Sequence, residues 1–364
     1  MVRTARAAVF EGANKPFVMR EYPIRRPEAG EVLVKVSMST ICRSDIHTWE
    51  GKRQNHCPSI LGHEIIGVID AIGSGIDRDL RDQKLREGDR ITWTEFFFCG
   101  ECYYCSVLDM PHKCTSLRKY GHDQADLPPH LTGGFAEYCY VLPGTGIVRL
   151  PESLSDEEAT PINCGVASMI AMTEAGGIGI GDAVVIQGLG LLGLYGCAIA
   201  KARGARLIIG LDAVEARLRR AENLGADLTF DVSTMEPEVL VEFVRDACSP
   251  DGADVAIEVC GLPAVISQGL SMLRKGGRYV IGGLTYPSGP LAFDGQEFFY
   301  RNITMMASAN YHPRHLIQAV DFVVRNRDVL LLKDLVERHY PLEKLTTAFE
   351  EAASLQVLRA GVVP

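Results

Sequence analysis

The sequence lacks any sustained run of basic residues. Its 364 residues carry 37 Lys and Arg against 46 Asp and Glu, a formal net charge of −9, which argues against nucleic acid or an anionic membrane as the partner. Its first residues, MVRTARAAVFEGANKPF, lack an apolar core of signal-peptide length. One apolar stretch, 183–200, is long enough to compare with a membrane span. It contains Gln187 and four glycines, and it reads as a buried strand running into a helix. An even complement of cysteines is missing too: there are 11, so they cannot all pair in disulfides within the chain. No internal repeat or low-complexity segment is present. These absences predict a cytoplasmic protein with reduced thiols, where clustered cysteines serve metals more often than disulfides.

What is present is a folded composition, with 47% hydrophobic and 23% charged residues. At roughly 100–200 residues per domain, the length predicts two domains. Up to about residue 150 the chain shows short alternating runs, among them 32–36, 64–73, 89–94 and 135–142, separated by Gly and Pro. This is an irregular, mostly β pattern. Near residue 155 the pattern changes. Apolar runs at 182–187, 205–212, 227–231, 254–259, 277–283 and 303–307 alternate with helical segments, the pattern of a doubly wound parallel sheet of the Rossmann type. The tail from about 310 predicts two helices and a final apolar run, 357–363.

Gly188-Leu189-Gly190-Leu191-Leu192-Gly193 directly follows the first of these strands and opens a helix. In that context GxGxxG predicts a dinucleotide site. Gly188 permits the tight turn, Gly190 lets backbone approach a pyrophosphate, and Gly193 allows close helix–strand packing. Leu192 lies within the same turn. Asp212 follows Gly193 by 19 residues at the end of the next strand. A carboxylate there accepts hydrogen bonds from ribose hydroxyls and repels a 2′-phosphate, which favours NAD over NADP. The alternative is a packing turn without a ligand.

The cysteines form two constellations. Cys99, Cys102, Cys105 and Cys114 are spaced C-x2-C-x2-C-x8-C, matching a closed, structural zinc site. Two disulfides, four free thiols or an iron–sulfur cluster are the alternatives. Cys42, His63 and Cys164, with Glu64 beside His63, are dispersed. Singly, each reads equally as a packing cysteine or a core histidine. Together, two thiolates and an imidazole make a catalytic zinc site with one open position.

With these motifs in place the chain resembles the zinc-dependent medium-chain alcohol dehydrogenases. The resemblance rests on Cys42-Arg43-Ser44-Asp45, Gly62-His63-Glu64, the four-cysteine lobe, GGFAEY at 133–138, Cys164, and the glycine turn with Asp212. It implies an α/β protein: a GroES-like, mostly β catalytic domain from residues 1–160 and 310–364, with a Rossmann NAD-binding domain, 161–309, between them and the active site in the cleft. It implies two zinc ions per chain. Cys42, His63 and Cys164 resemble the catalytic ligands. Glu64 resembles the carboxylate that approaches the metal during ligand exchange, and Asp45 the partner that orients His63. Ser44 resembles the hydroxyl that takes the alcohol proton, and His47 the relay that carries it to solvent after the nicotinamide ribose. Arg43 resembles a pyrophosphate contact, and Arg217 the basic residue covering the adenosine ribose. Plain alternatives are an exposed His47 with no role and, for Arg217, a solvated helix face shared with Arg219 and Arg220.

The expected reaction is reversible hydride transfer between an alcohol and NAD, giving aldehyde or ketone. Eight residues separate the last two lobe cysteines where seven are usual, which lengthens a loop without changing ligands. In the polyol-dehydrogenase branch the third ligand is a carboxylate, so Cys164 favours the alcohol-dehydrogenase pattern while Glu64 stays in contention. Residues 119–151 are similar to a phosphonate-associated subgroup. Trp49, Trp93 and 96–98 read equally as pocket lining and as core, and His56 and Cys57 precede Pro58 in a loop that could face the cleft. Of the remaining cysteines, Cys139, Cys197 and Cys260 are expected to pack in apolar elements. The resemblance implies a homodimer or homotetramer acting on a small alcohol or carbonyl. Two other readings stand beside it: a non-catalytic zinc- and nucleotide-binding redox sensor, and reduction of an activated double bond.

Overall fold

The computed structural model describes residues 3–248, 251–330 and 332–364. The chain divides into two compact units. One is drawn from the residues up to Ala167, His312–Asp328 and Leu332–Pro364; the other is Ser168–Tyr311 with a short piece beginning at Val329.

In the second unit six strands lie side by side in the order Leu228–Asp231, Leu207–Asp212, Ala183–Gln187, Ala253–Glu258, Leu273–Ile281, Thr304–Ala307. All neighbouring pairs are parallel. The order reverses beside the first strand in sequence, Ala183–Gln187, which makes its carboxyl end a topological switch point. That strand is buried along its whole length, which is why its residues are a continuous apolar run rather than an alternation. The run expected at 277–283 begins earlier, at Leu273. A register shift between Ala253 and Val255 keeps Gly276 and Gly277 within the strand.

The first unit is built on an eight-stranded sheet. Val32–Thr40 is its centre: Glu64–Ile72 pairs it antiparallel on one side, and Tyr138–Val141 and Ala360–Val363 pair its other edge. Arg90–Phe97 pairs with Glu64–Ile72, and with Arg118–Lys119 and Thr145–Arg149. The expected tail helices are Pro313–Asn326 and Leu345–Ala353. The final apolar run is the strand Ala360–Val363, which returns to the centre at Gly361↔Thr40 and Val362↔Ser39. Trp93, Phe135 and Phe349 are fully buried here, and Phe135 packs edge-on to Phe349 at 5.7 Å between ring centroids.

Candidate functional site

The main cluster is assembled around Asp45. Cys42 ends the connection from Val32–Thr40 and caps the helix Arg43–Trp49. The Asp45 carboxylate, in the first turn, accepts the Cys42 N–H at 2.9 Å and the Gly62 N–H at 3.4 Å. It also lies 3.2 Å from His63 Nδ1. One carboxylate thereby fixes three segments and leaves His63 Nε2 as the nitrogen turned away from it. Gly62 has φ +88°, and a Cβ there would press on Phe135 at 3.1 Å; the turn that presents His63 needs glycine. Asn163 donates from Nδ2 to the carbonyls of His63 and Trp93, both at 2.9 Å, which places Cys164 beside the other two.

The result is that one ligand atom each from Cys42, His63, Glu64 and Cys164 lies within 4.8 Å of the others, and all four residues are buried. The Cys42 thiol is held well below the usual range, first by its hydrogen bond with Cys164 and then by His63 and Arg359. Cys164 is pushed up by that same contact and by burial. Burial opposes charge on His63, but Asp45 and Cys42 outweigh it and raise its pKa. Two cysteine sulfurs and an imidazole nitrogen gathered out of water form, once deprotonated by metal binding, a soft donor set suited to zinc.

Two members were missed by sequence reasoning. Arg359, 4% exposed, puts Nη2 3.3 Å from Glu64 Oε1 and donates from Nη1 to the Ile41 carbonyl at 2.6 Å. Thr40 donates to Glu64 Oε2. Burial pushes the Glu64 carboxyl up to about 7, against the pull of Arg359. Replacing Arg359 with Met is expected to lower stability by about 1–3 kcal/mol, because it removes the donor to the buried Glu64 carboxyl and to the Ile41 carbonyl; urea denaturation of the purified chain measures it. Glu95, 5% exposed, pairs with Lys119 Nζ at 3.2 Å and lies 3.7 Å from His63 Nε2. The available signal for both was a charge inside an apolar run: VLRAGVV and TWTEFF.

Other expectations are placed as follows. Ser44 is half-buried and Arg43 exposed on the same short helix. His47 is 8% exposed, not the exposed histidine of the plain alternative. Its Nδ1 is 3.6 Å from Glu50 Oε2, and burial lowers its pKa. Trp93 and Phe96 are fully buried, and Trp49 packs edge-on against Phe349 at 6.0 Å, so these aromatics belong to the core. Cys139, Cys197 and Cys248 are buried, whereas Cys57 and Cys260 are exposed. Cys260 was expected to be a packing residue; it instead follows the strand Ala253–Glu258 and backs the glycine turn.

Cys99, Cys102, Cys105 and Cys114 gather their sulfurs within 4.8 Å. Neighbouring sulfurs are 3.5 Å (Cys102–Cys105), 3.9 Å (Cys102–Cys114) and 3.5 Å (Cys114–Cys99) apart. A tetrahedron with Zn–S bonds of about 2.3 Å has edges of about 3.8 Å. The spacing fits that and is far too long for a disulfide; all 11 cysteines are free. Backbone N–H groups of Cys99, Cys102 and Ser116 point at these sulfurs at 3.3–3.4 Å, as suits thiolates.

At the switch point, Gly188 has φ +94°, and a Cβ on it would lie 2.8 Å from that of Cys260. A Cβ on Gly193 would lie 1.8 Å from the Gly188 carbonyl oxygen, while Gly190 faces open space and caps the helix Leu191–Ala202, with Leu192 half-buried in its first turn. The Asp212 carboxylate accepts the Leu189 N–H at 2.7 Å and the Val214 N–H at 2.9 Å, and Arg217 approaches it at 3.5 Å. The open cradle at a helix N-terminus fits a dinucleotide pyrophosphate.

Comparison with known proteins agrees with this chemistry. Residues 28–152 match the alcohol dehydrogenase GroES-like domain, and residues 192–325 match the zinc-binding dehydrogenase family. The chain is 30% identical over 361 residues to 5-exo-hydroxycamphor dehydrogenase of Pseudomonas putida, spanning 99% of this chain and 97% of that protein. It is 30% identical over 353 residues to sorbitol dehydrogenase of Halalkalibacterium halodurans, spanning 96% of each. The crystal structure of an alcohol dehydrogenase from Thermotoga maritima superposes with a TM-score of 0.94 at 31% identity, covering all of both chains. The chain belongs to the zinc-binding dehydrogenases, the medium-chain alcohol dehydrogenase family. It is an oxidoreductase of the zinc-dependent type. Among the described residues, no helix is long and apolar enough to cross a membrane.

Proposed function

We propose that the chain reversibly oxidises an alcohol to the aldehyde or ketone, with NAD as the hydride acceptor and two zinc ions per chain, one catalytic and one structural. The observation that carries this reading is the buried convergence of Cys42, His63 and Cys164, with Glu64 in reach. Cys42, His63 and Cys164 would hold the catalytic ion, Glu64 would exchange with them, and the four lobe cysteines would hold the structural one. When bound, zinc supplies Lewis acidity that favours loss of the alcohol proton, and the nicotinamide accepts hydride.

The remaining work falls to side chains of this chain. Asp45 orients His63. Ser44 takes the alcohol proton; His47, one turn on along the same helix with its pKa lowered by burial, passes it to solvent. The catalytic unit is the one built on the eight-stranded sheet, and the Ser168–Tyr311 unit holds NAD. Gly188, Gly190, Leu192 and Gly193 would cradle the pyrophosphate, and Asp212 and Arg217 would hold the adenosine ribose. We place the enzyme in the cytoplasm as a homodimer or homotetramer, to be checked by sedimentation. The reading is tested by NADH absorbance across a panel of alcohols and carbonyls alongside metal analysis; a chain loaded with both zinc ions that turns over none of them would overturn it.

Asp212→Gly is expected to narrow the preference for NAD over NADP by about 10-fold or more, since the like-charge clash with a 2′-phosphate disappears. The ratio of kcat/KM with the two cofactors measures it, and an unchanged ratio would contradict the role given to Asp212.

A further inference from the structure

Glu258 is a fully buried carboxylate at the carboxyl end of the strand Ala253–Glu258, outside both clusters of metal-ligating side chains. An apolar residue here would avoid the desolvation that a buried charge costs. What the carboxylate does is tie two loops together. One oxygen, Oε1, accepts the Gly261 N–H, three residues on; the other, Oε2, accepts the Gly283 N–H at 3.1 Å. Both N–H groups lie just past the ends of their strands, Ala253–Glu258 and Leu273–Ile281, where the sheet ladder no longer serves them. Two oxygens on one charged group hold both at once, by charge-assisted hydrogen bonds. The loops are so close that a Cβ on Gly261 would lie 2.7 Å from the Gly283 carbonyl oxygen, and one on Gly283 would run into the Gly261 nitrogen.

These loops have a defined place relative to the glycine turn. Asp212 ends the strand on one flank of Ala183–Gln187, and Glu258 ends the strand on the other. A dinucleotide with its adenosine ribose at Asp212 and its pyrophosphate at the glycine turn must carry its remaining half across to the Glu258 flank. We propose that Glu258 is a positioning residue: by holding Gly261 and Gly283 it fixes the two loops that receive the nicotinamide half. The inference deepens the NAD reading and rests on it. The glycine turn itself does not depend on the carboxylate. Cys260, which backs Gly188, is carried by the main chain, the Val259 N–H donating to the Gln187 carbonyl at 2.9 Å. The base of the second loop is held likewise, by the Gly282 N–H on the Glu258 carbonyl at 2.9 Å. Removing the carboxylate therefore frees the outer parts of both loops and leaves the pyrophosphate cradle in place.

The test measures binding of NADH, and of ADP-ribose as the dinucleotide without its nicotinamide, to the wild-type chain, Glu258→Gln and Glu258→Ala. Calorimetry reads the affinities, and the zinc content and melting midpoint of each chain are recorded beside them. The wild type is expected to bind NADH more tightly than ADP-ribose. Glu258→Ala, which frees both loops, is expected to weaken NADH by about 10-fold or more, the scale of one hydrogen bond to a charged group, while ADP-ribose stays within about 2-fold. Glu258→Gln offers one acceptor oxygen in place of two and is expected to lose less, again on NADH alone. If Glu258→Ala does not fold, Glu258→Gln, of the same shape, decides by the same comparison. Equal losses for the two ligands would make Glu258 a support of the whole unit and overturn the proposal. Unchanged NADH affinity in the variants would overturn it too, as would a wild type that binds the two ligands equally. Binding is read without turnover, so a chain whose variants lose NADH selectively, but which oxidises no alcohol, would overturn the alcohol-oxidation reading and leave this inference standing.

Discussion

A chain carrying Cys42→Ser is expected to hold one zinc ion instead of two and to lose alcohol-oxidising activity by at least about 100-fold, beyond what disturbing only an outer partner of a metal ligand costs. The substitution is informative because of what it preserves. Cys42 is the N-cap of the helix Arg43–Trp49, and serine is among the preferred residues at such a position. The Cys42 backbone N–H that binds Asp45 at 2.9 Å is untouched. Helix, Asp45 and His63 therefore stay in place while the sulfur is replaced by a hydroxyl that does not ionise near neutral pH. Elemental analysis reads the zinc count, NADH absorbance reads turnover, and circular dichroism reads the fold. Full activity with a single zinc ion would remove Cys42 from the catalytic role.

The second large effect is expected from Cys102→Ser, and it falls on stability. Tyr103, Tyr104, Val107 and Leu108 of the cysteine lobe are exposed, and no residue of its helix Tyr103–Ser106 is buried. With little apolar burial of its own, the lobe relies on its four sulfurs, and structural zinc sites contribute apparent binding energies of about 10–16 kcal/mol in small domains. Losing one ligand is expected to open the segment 99–114 to protease and to lower the melting midpoint by about 5 °C or more. The catalytic ion, on separate residues, stays bound. Two zinc ions and an unchanged midpoint in this variant would show that the lobe is held by other means.

Which parts were legible in the sequence follows from how far each interaction reaches. The lobe closes within 15 residues, so its spacing alone is enough to predict that the four sulfurs meet. The glycine turn is local too, and the switch from alternating to continuous apolar runs marks the parallel sheet, whose strands are buried on both faces. Asp45 was readable only through family likeness, since a carboxylate three residues after a cysteine has no distinctive spacing. Arg359 was not readable at all as a partner: the carbonyl it grips at Ile41 is 318 residues away, and periodicity carries no information at that range. Glu95 was hidden for a similar reason, its neighbours Lys119 and His63 being brought in by strand pairing. Cys260 was misassigned because its flanking residues are apolar, yet it lies just past a strand end, where the chain turns out of the core.

The Arg359–Ile41 contact also bears on the order in which the protein is made. All four lobe thiols have been synthesised once residue 114 is added. The environment of Glu64 is incomplete until residue 359 is added and the strand Ala360–Val363 docks on Val32–Thr40. At roughly 5–20 residues per second of synthesis, this interval is about 10–50 s. The nascent chain thus presents its four-cysteine lobe well before the surroundings of Glu64 are complete, and it is the segment around Arg359 that completes them.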